Sequence, residues 1–488
     1  MTVPTEAGQT QIYGRALIDG EFVDGTARGE VRNPADVDEV VGTYPLLTRA
    51  DLDRAVEAAT RAQKKWRKVP IAERVRIVQE SAVALTKIEG LPELLTREQG
   101  KVMWESSFEI GYYEAIADAY GSFASALDDP APIIDDTLGT ATVLRRPVGV
   151  VAAIAPWNYP FALAALKVIP ALMAGCAVIL KPSPVTPLTT LKAFGAIAGV
   201  FPPGVLNVVI GSDEEVSAPL LAHPGVRKIS LTGSTATGRI AVSASAATLK
   251  NVTLELGGND AALVLDDAEI DGDLCASLLS GAFPTSGQVC VAIKRVYVPR
   301  AMYETLVEGL LTELETTVVG NGLDSETTMG PLTTARQKEI VTGLVDSAER
   351  AGAEVHRRGV MGADTERGHF LLPAILTGTP ESHDLVQTEQ FGPALPIQPY
   401  DTLEEALELV NATDLGLSAS VWTSDVERGA RVAAEIEAGT VHVNNHGLFA
   451  MDPRVPFGGI KQSGLGTEMG VEGLLAFTEQ RVINTRTL

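Results

Sequence analysis

A cysteine and a glutamate 35 residues apart are the pair in this 488-residue chain with the strongest case for chemistry. Cys290 lies at the end of the run Ser280 to Val291, S-G-A-F-P-T-S-G-Q-V-C-V, which is small and almost uncharged. Gly281 and Gly287 allow the backbone to turn tightly beside the thiol. A lone cysteine in a soluble protein is more often an inert buried hydrophobe than a nucleophile, so the run needs company. It finds it at Val252 to Gly258, V-T-L-E-L-G-G, where Glu255 is the one charge in an apolar strand. Such a carboxylate is expensive to bury and tends to be protonated, paired or functional. A thiol beside a carboxylate of raised pKa can form and then hydrolyse a covalent intermediate at neutral pH.

The elements that must position this pair begin at Gly149. Short apolar β runs alternate there with helical stretches: Val150 to Ile154, Ala177 to Leu180, Val205 to Ile210, Lys228 to Leu231, Val252 to Leu256 and Ala261 to Leu265. That pattern predicts a parallel sheet covered on both faces, a doubly wound nucleotide-binding architecture whose ligands lie at the carboxyl ends of the strands. Thr232 to Gly238, T-G-S-T-A-T-G, follows one strand and opens a helix from about Thr235, which turns free N–H groups and a positive helix end toward a pyrophosphate. Lys181 ends another strand and is held by Pro182 at the same carboxyl edge. After Asp266 strands near Arg295 to Val298, Phe370 to Leu376, Ala394 to Tyr400, Ser418 to Trp422 and Thr440 to Asn444 predict a second α/β unit carrying the thiol.

Upstream, Ala16 to Asp24 reads as a hairpin around Asp19-Gly20. Thr48 opens a capping-box-like helix to about Trp66, with Ala55, Ala59, Ala62 and Trp66 on one face. Pro70 opens a second helix, and two more run from about Leu91 and from about Trp104 to Leu127. Tyr112, Tyr113, Tyr120 and Phe123 in the last of these read as core. The domains expected are a dinucleotide-binding domain (1–128 and 147–256), a catalytic domain (257–460), and an oligomerisation and C-terminal segment (129–146 and 461–488).

Thirty-nine basic against 62 acidic side chains give a net charge of −23, which repels nucleic acid and anionic membrane alike. No run of about 18 apolar residues is present and the start has no signal-like segment, so a cytoplasmic protein is expected. Cys176, Cys275 and Cys290 form no even framework and no metal-ligand spacing, so neither a structural disulfide nor a bound metal is expected.

With these blocks in view the chain resembles the aldehyde dehydrogenase superfamily, whose signatures read E-L-G-G and G-Q-x-C. Further blocks fall in the family's order: P-W-N-Y-P at Pro156 to Pro160, K-P-S at Lys181 to Ser183, T-G-S at Thr232 to Ser234, E-Q-F-G-P at Glu389 to Pro393 and P-F-G-G at Pro456 to Gly459. The resemblance covers nearly the whole chain. It implies that Cys290 is the nucleophile, that Glu255 activates water, and that Asn158 with the Cys290 N–H forms an oxyanion hole. It implies NAD or NADP as coenzyme, held by Trp157, Lys181, Ser183, Gly233, Ser234, Glu389 and Phe391. A tunnel for a small-molecule aldehyde is implied along Tyr159, Leu163, Leu166, Val289, Val291, Met451, Arg454 and Phe457. In family members the equivalents of Ala131 to Arg146 and Arg481 to Thr485 pair across subunits, so a homodimer or homotetramer is implied.

The apolar tunnel suits an uncharged aliphatic or aromatic aldehyde. Arg454 keeps open a semialdehyde whose carboxylate it would bind, although Asp452 nearby could neutralise it. An acylating enzyme that passes the thioester to coenzyme A generally lacks the carboxylate that this chain retains as Glu255. A catalytically silent homologue is a further alternative, and it usually erodes one of the site residues. Many NAD-preferring members carry glutamate after K-P-S, where this chain has Pro184. Loss of that repulsive carboxylate predicts tolerance of both coenzymes, unless another acidic side chain takes over the ribose contact.

Overall fold

The computed structural model describes residues 2–4 and 10–486. Two α/β units face each other. The first is an eight-stranded sheet. Its strands in chain order are β1 (Ala16–Ile18), β2 (Glu21–Val23), β3 (Val150–Ile154), β4 (Ala177–Lys181), β5 (Leu206–Val208), β6 (Lys228–Thr232) and β7 (Asn251–Glu255), with a two-residue strand, Gly464–Leu465, on the β7 edge. Across the sheet the order is 464–465, β7, β6, β3, β4, β5, β1, β2, and β3 to β7 are parallel. The chain winds outward from β3 through β4 to β5, then returns to β6 on the other side of β3. The crevice at that reversal is where doubly wound sheets hold ligands. The strands are buried on both faces, which is why they read as continuous apolar runs.

The second unit is a seven-stranded sheet of β8 (Asp260–Val264), β9 (Ile293–Pro299), β10 (Glu354–Arg357), β11 (Ala374–Thr377), β12 (Ala394–Tyr400), β13 (Ser418–Trp422) and β14 (Thr440–Val443), ordered β10-β11-β12-β9-β8-β13-β14. β8, expected to follow on from the first sheet, begins the second instead. Periodicity reports an apolar strand but not the sheet it joins. The crossing is made at Leu256–Asn259, where the backbone of Cys290 requires Gly258 and the Glu389 carboxylate comes close to Gly257. A Cβ on Gly257 would stand 2.4 Å from Glu389 Oε2, and one on Gly258 would stand 2.6 Å from the Cys290 carbonyl oxygen.

The expected hairpin is β1–β2, with Asp19 and Gly20 both at positive φ. Four helices cover the first sheet's approach: α1 (Arg49–Trp66), α2 (Ile71–Leu85), α3 (Leu91–Gln99) and α4 (Met103–Ser122). Thr48 and Asp51 close the capping box of α1. α4 is shorter than its pattern suggested, giving way to a 3-10 turn at Ala124–Leu127. Tyr113 and Tyr120 are core, whereas Tyr112 lines a tunnel described below. Helix α5 (Ala162–Ala174) follows β3, α6 (Leu188–Ile197) follows β4, and α7 (Thr235–Ser245) follows β6.

The two segments thought to pair between subunits pair with each other here: Gly139–Pro147 runs antiparallel to Thr478–Arg486, with Ile134–Asp136 as a third strand. The stretch before the last strand does not join them. It extends the first sheet at 464–465 and returns Glu468 against α5. Strands Ala27–Asn33 and Asp36–Leu46 were not expected: their polar faces are partly exposed and their apolar alternation is weak.

Candidate active site

The loops that leave the two sheets meet over Cys290. Before it, Thr285, Ser286 and Gly287 are three consecutive residues at positive φ (50°, 58° and 75°). Left-handed backbone costs a non-glycine residue on the order of 1 kcal/mol, so the surroundings must impose it. Buried groups do so. Glu105 Oε1 accepts the Thr285 N–H at 2.6 Å, Ser286 Oγ donates to Gly330 O at 2.7 Å, and Lys294 Nζ donates to Gly287 O at 2.7 Å. Gln288 donates to Thr285 O and accepts the Thr333 N–H. The loop is thereby rigid, with Cys290 partly exposed at its end.

Asn158, four residues beyond β3, is buried. Its amide donates to Gln288 O at 2.9 Å, which aims the carboxamide at the Cys290 loop and leaves a second amide hydrogen for a ligand oxygen. The Asn158 carbonyl accepts from Lys101 Nζ at 2.8 Å. Lys101 and Glu109 form an ion pair at 2.5 Å with both side chains fully buried, and Glu109 Oε1 accepts the N–H groups of Phe161 and Ala162 at the start of α5. Tyr159 bonds Thr285 Oγ1 at 2.7 Å and lies under the Lys101 ammonium. α4 and the link before it therefore tie the Asn158 loop and the Cys290 loop into one network.

Glu255 ends β7 with only 4% of its surface exposed, and among the described residues neither of its carboxylate oxygens has a hydrogen-bond partner. Burial raises its pKa well above the ordinary range, and the charge of Glu468 raises it further. Lys167 opposes the shift. It donates to Glu468 Oε1 and to Thr232 Oγ1, each at 2.6 Å. Burial likewise pushes the Cys290 thiol up to about 12, with Glu389, Asp260 and Glu255 adding to the shift and Lys294 opposing it.

Cys290, Glu255 and Asn158 open onto one narrow apolar tunnel with a cavity volume of about 50 Å³. Tyr159, Leu163, Leu166, Val289, Val291, Leu448, Met451 and Phe457 line it, all from the expected segments; Phe108 and Tyr112 join them. Arg454 does not. Its guanidinium is 71% exposed and bound to Asp452 through Nε at 2.9 Å and Nη2 at 2.5 Å, so the mouth carries a neutralised pair.

The residues expected at the coenzyme lie along the carboxyl edge of the first sheet. Ser234 caps α7, accepting the Thr237 N–H at 3.2 Å, and Gly233 donates to Glu255 O at 3.0 Å. Lys181 is buried, and among the described residues its ammonium finds only Pro182 O at 3.5 Å, while Ser183 is buried beside it and Pro184 is exposed. A buried ammonium with so poor a partner suits vicinal hydroxyls such as those of a ribose. Burial lowers the Lys181 pKa, and Asp213 is the acidic group whose charge opposes that. Trp157 packs edge-on against Phe391 with centroids 5.4 Å apart. Glu389 borders the cleft with its carboxyl drawn in to accept the Gly258 N–H at 3.2 Å, and burial raises it to about 7.

Sequence reasoning missed Lys101, Glu105, Glu109, Lys167, Lys294 and Glu468. One signal was available: Lys167 is the only charge in the apolar run A-L-A-A-L-K-V-I-P. The others sit in segments whose charge looks like solvated surface until the fold closes: Lys101 between α3 and α4, Glu105 and Glu109 on α4, Lys294 on β9 and Glu468 in the loop after 464–465.

A model of the aldehyde dehydrogenase family matches residues 22–483. The 3-sulfolactaldehyde dehydrogenase of Pseudomonas putida is 36% identical over 484 residues, covering 96% of either chain. The geranial dehydrogenase of Castellaniella defragrans is 35% identical over 466 residues, covering 94% of this chain and 95% of its own. Among solved structures, the betaine aldehyde dehydrogenase of Staphylococcus aureus in complex with NAD+ superposes with a TM-score of 0.91 at 32% identity, covering 97% of this chain and 95% of its own. These relatives are named for an anionic, an apolar and a cationic aldehyde, so overall identity does not choose a substrate. It does choose the family: with the family model matched over residues 22–483 and relatives 35–36% identical along nearly its whole length, this chain belongs to the aldehyde dehydrogenase family.

Proposed function

We propose that the protein oxidises an uncharged aliphatic or aromatic aldehyde to the carboxylic acid through a covalent intermediate on Cys290, with NAD or NADP as coenzyme. The observation that carries this reading is the convergence of a partly exposed thiol, an unpartnered buried carboxylate and an aimed carboxamide on one apolar tunnel. In the reaction proposed, Cys290 Sγ bonds to the carbonyl carbon. The oxygen accepts hydrogen bonds from the second amide N–H of Asn158 and from the Cys290 N–H, which stabilise its developing charge. The thiol proton must leave during attack, because burial pushes the free thiol up to about 12; ionised Glu255 takes that proton and gives it up to solvent before the next step. Nicotinamide, when bound, supplies the hydride acceptor for the substrate carbon. Water then cleaves the thioester: Glu255 takes the water's proton and returns it to the departing Cys290 Sγ, while the Lys167–Glu468 ion pair, with Thr232 bonded to Lys167, sets the charge near the carboxylate.

Lys181, Ser183, Gly233 and Ser234 hold the coenzyme in this reading, and Glu389 and Phe391 border its nicotinamide end. Pro184 offers no repulsion to a 2′-phosphate, while Asp213 supplies some and tilts the pair toward NAD. A semialdehyde is disfavoured because Arg454 is already bound to Asp452. The units 1–128 with 147–256 and 257–460 act as the coenzyme-binding and catalytic parts. Exposed Ile133, Ile134, Leu138, Val482 and Ile483 on the three-stranded sheet support a homo-oligomeric contact through 129–146 and the last strand. A panel of hexanal, benzaldehyde and succinic semialdehyde, assayed with either coenzyme and with or without coenzyme A, tests the reading. Preference for succinic semialdehyde, or dependence on coenzyme A, overturns it.

A further inference from the structure

Helix α4 carries Trp104, Phe108 and Tyr112 at i, i+4 and i+8, hence on one face. The loop after β14 adds Phe449. Ring centroids lie 5.7 Å apart from Tyr112 to Phe108, 5.2 Å from Phe108 to Phe449 and 5.5 Å from Phe449 to Trp104, so four rings form an unbroken run. Its inner end is in the tunnel, where Tyr112 and Phe108 are wall residues. Its outer end is elsewhere: Trp104 and Phe449 line a second cavity of about 310 Å³, with Leu279, Phe283, Leu314 and Met329 on its other walls.

Trp104, Phe108 and Phe449 are 55%, 36% and 40% exposed. A core role does not account for rings so exposed, and a contiguous aromatic patch of this kind marks a binding surface. The bore near Cys290 admits only a slender chain, while the aromatic run begins where the tunnel opens and ends in a wider cavity whose lining adds Glu105, Glu313 and three threonines to its apolar wall. We propose that the run is a second substrate subsite, and that the aldehydes this protein handles best have a long unbranched or lightly branched apolar tail that leaves the tunnel, crosses the rings and ends in the outer cavity. This inference rests on the tunnel being the aldehyde's path, as proposed above.

Two measurements test it. The first is kcat/KM for butanal and dodecanal with wild type, Trp104→Ala and Phe449→Ala. Both side chains are more than a third exposed, so their truncation opens no core. In wild type the ratio of dodecanal to butanal should exceed about tenfold, since each buried methylene contributes a few-fold. Each substitution should lower that ratio by about fivefold or more. The second is calorimetric titration with 1-dodecanol, which cannot be oxidised as an aldehyde and so reports the subsite without turnover; both variants should bind it about fivefold or more weakly. An unchanged ratio together with unchanged dodecanol affinity overturns the inference and leaves the patch as a contact between protein chains. If no aldehyde is oxidised, butanal included, the proposed activity fails and the dodecanol titration alone decides the subsite.

Discussion

Replacing Lys101 with methionine separates the positioning of the oxyanion donor from the stability of the fold. Lys101 is fully buried, pairs with Glu109 at 2.5 Å and donates to the Asn158 carbonyl at 2.8 Å. Lys101→Met keeps the stem but leaves the Glu109 carboxylate buried without its cation. Removing one partner of a buried pair costs about 3–5 kcal/mol, so a clear fall in the thermal midpoint is expected. Turnover should fall as well, because Asn158 loses the donor that fixes its backbone; the bound is the 10²–10³-fold loss typical when an oxyanion donor is removed. The double variant Lys101→Met with Glu109→Gln tells the two effects apart. The neutral amide in place of the Glu109 carboxylate can still accept from Phe161 and Ala162 and needs no cation, so most of the stability should return. kcat should stay depressed by at least about tenfold, with coenzyme affinity near the wild-type value. Thermal melts and steady-state kinetics on wild type, the two single variants and the double variant suffice. Recovery of kcat in step with stability would refute the reasoning and make Lys101 a purely structural residue.

Glu255→Gln should allow acylation and slow release, so intact-mass spectrometry after mixing with aldehyde and coenzyme should find the acyl-enzyme; unmodified protein turning over normally would remove Glu255 from the mechanism. Lys167→Met should move the rising limb of the kcat–pH profile to higher pH. Lys167 is the cation that opposes the rise of the Glu255 pKa, and only the ionised carboxylate, whose population grows with pH, can accept water's proton. An unmoved limb would detach Lys167 from Glu255. Wild type should accept NAD and NADP with kcat/KM values within roughly two orders of magnitude, or about 2.7 kcal/mol, and Pro184→Glu should lose NADP activity selectively. Equal losses for both coenzymes would show that position 184 does not face the 2′ group.

How much could be read in advance follows from the range of the interactions involved. Cys290, Glu255 and Asn158 each sit in a short run whose neighbours set the backbone locally, and those runs are visible residue by residue. The parallel strands β3 to β7 are equally visible, because burial on both faces makes them continuously apolar. β8 was legible as a strand but not as the start of a new sheet, since that depends on where Gly257 and Gly258 let Glu389 and Cys290 approach. The network of Lys101, Glu105 and Glu109 was hidden for the same reason: its bonds to Asn158, Thr285 and Phe161 span 52 to 180 residues, and charged residues on α4 and in the link before it look solvated until the fold closes over them. That Asp452 could neutralise Arg454 was legible from their spacing, but the outward turn of the paired guanidinium was not.

Cys290 as nucleophile is the claim on which the rest depends, and rapid mixing measures it most directly. Wild-type protein saturated with NAD and mixed with the best aldehyde of the panel should release a burst of reduced coenzyme approaching one equivalent per active site. Cys290→Ser should bind coenzyme with unchanged affinity and release no burst. A full burst from Cys290→Ser would place the nucleophile elsewhere and contradict the account.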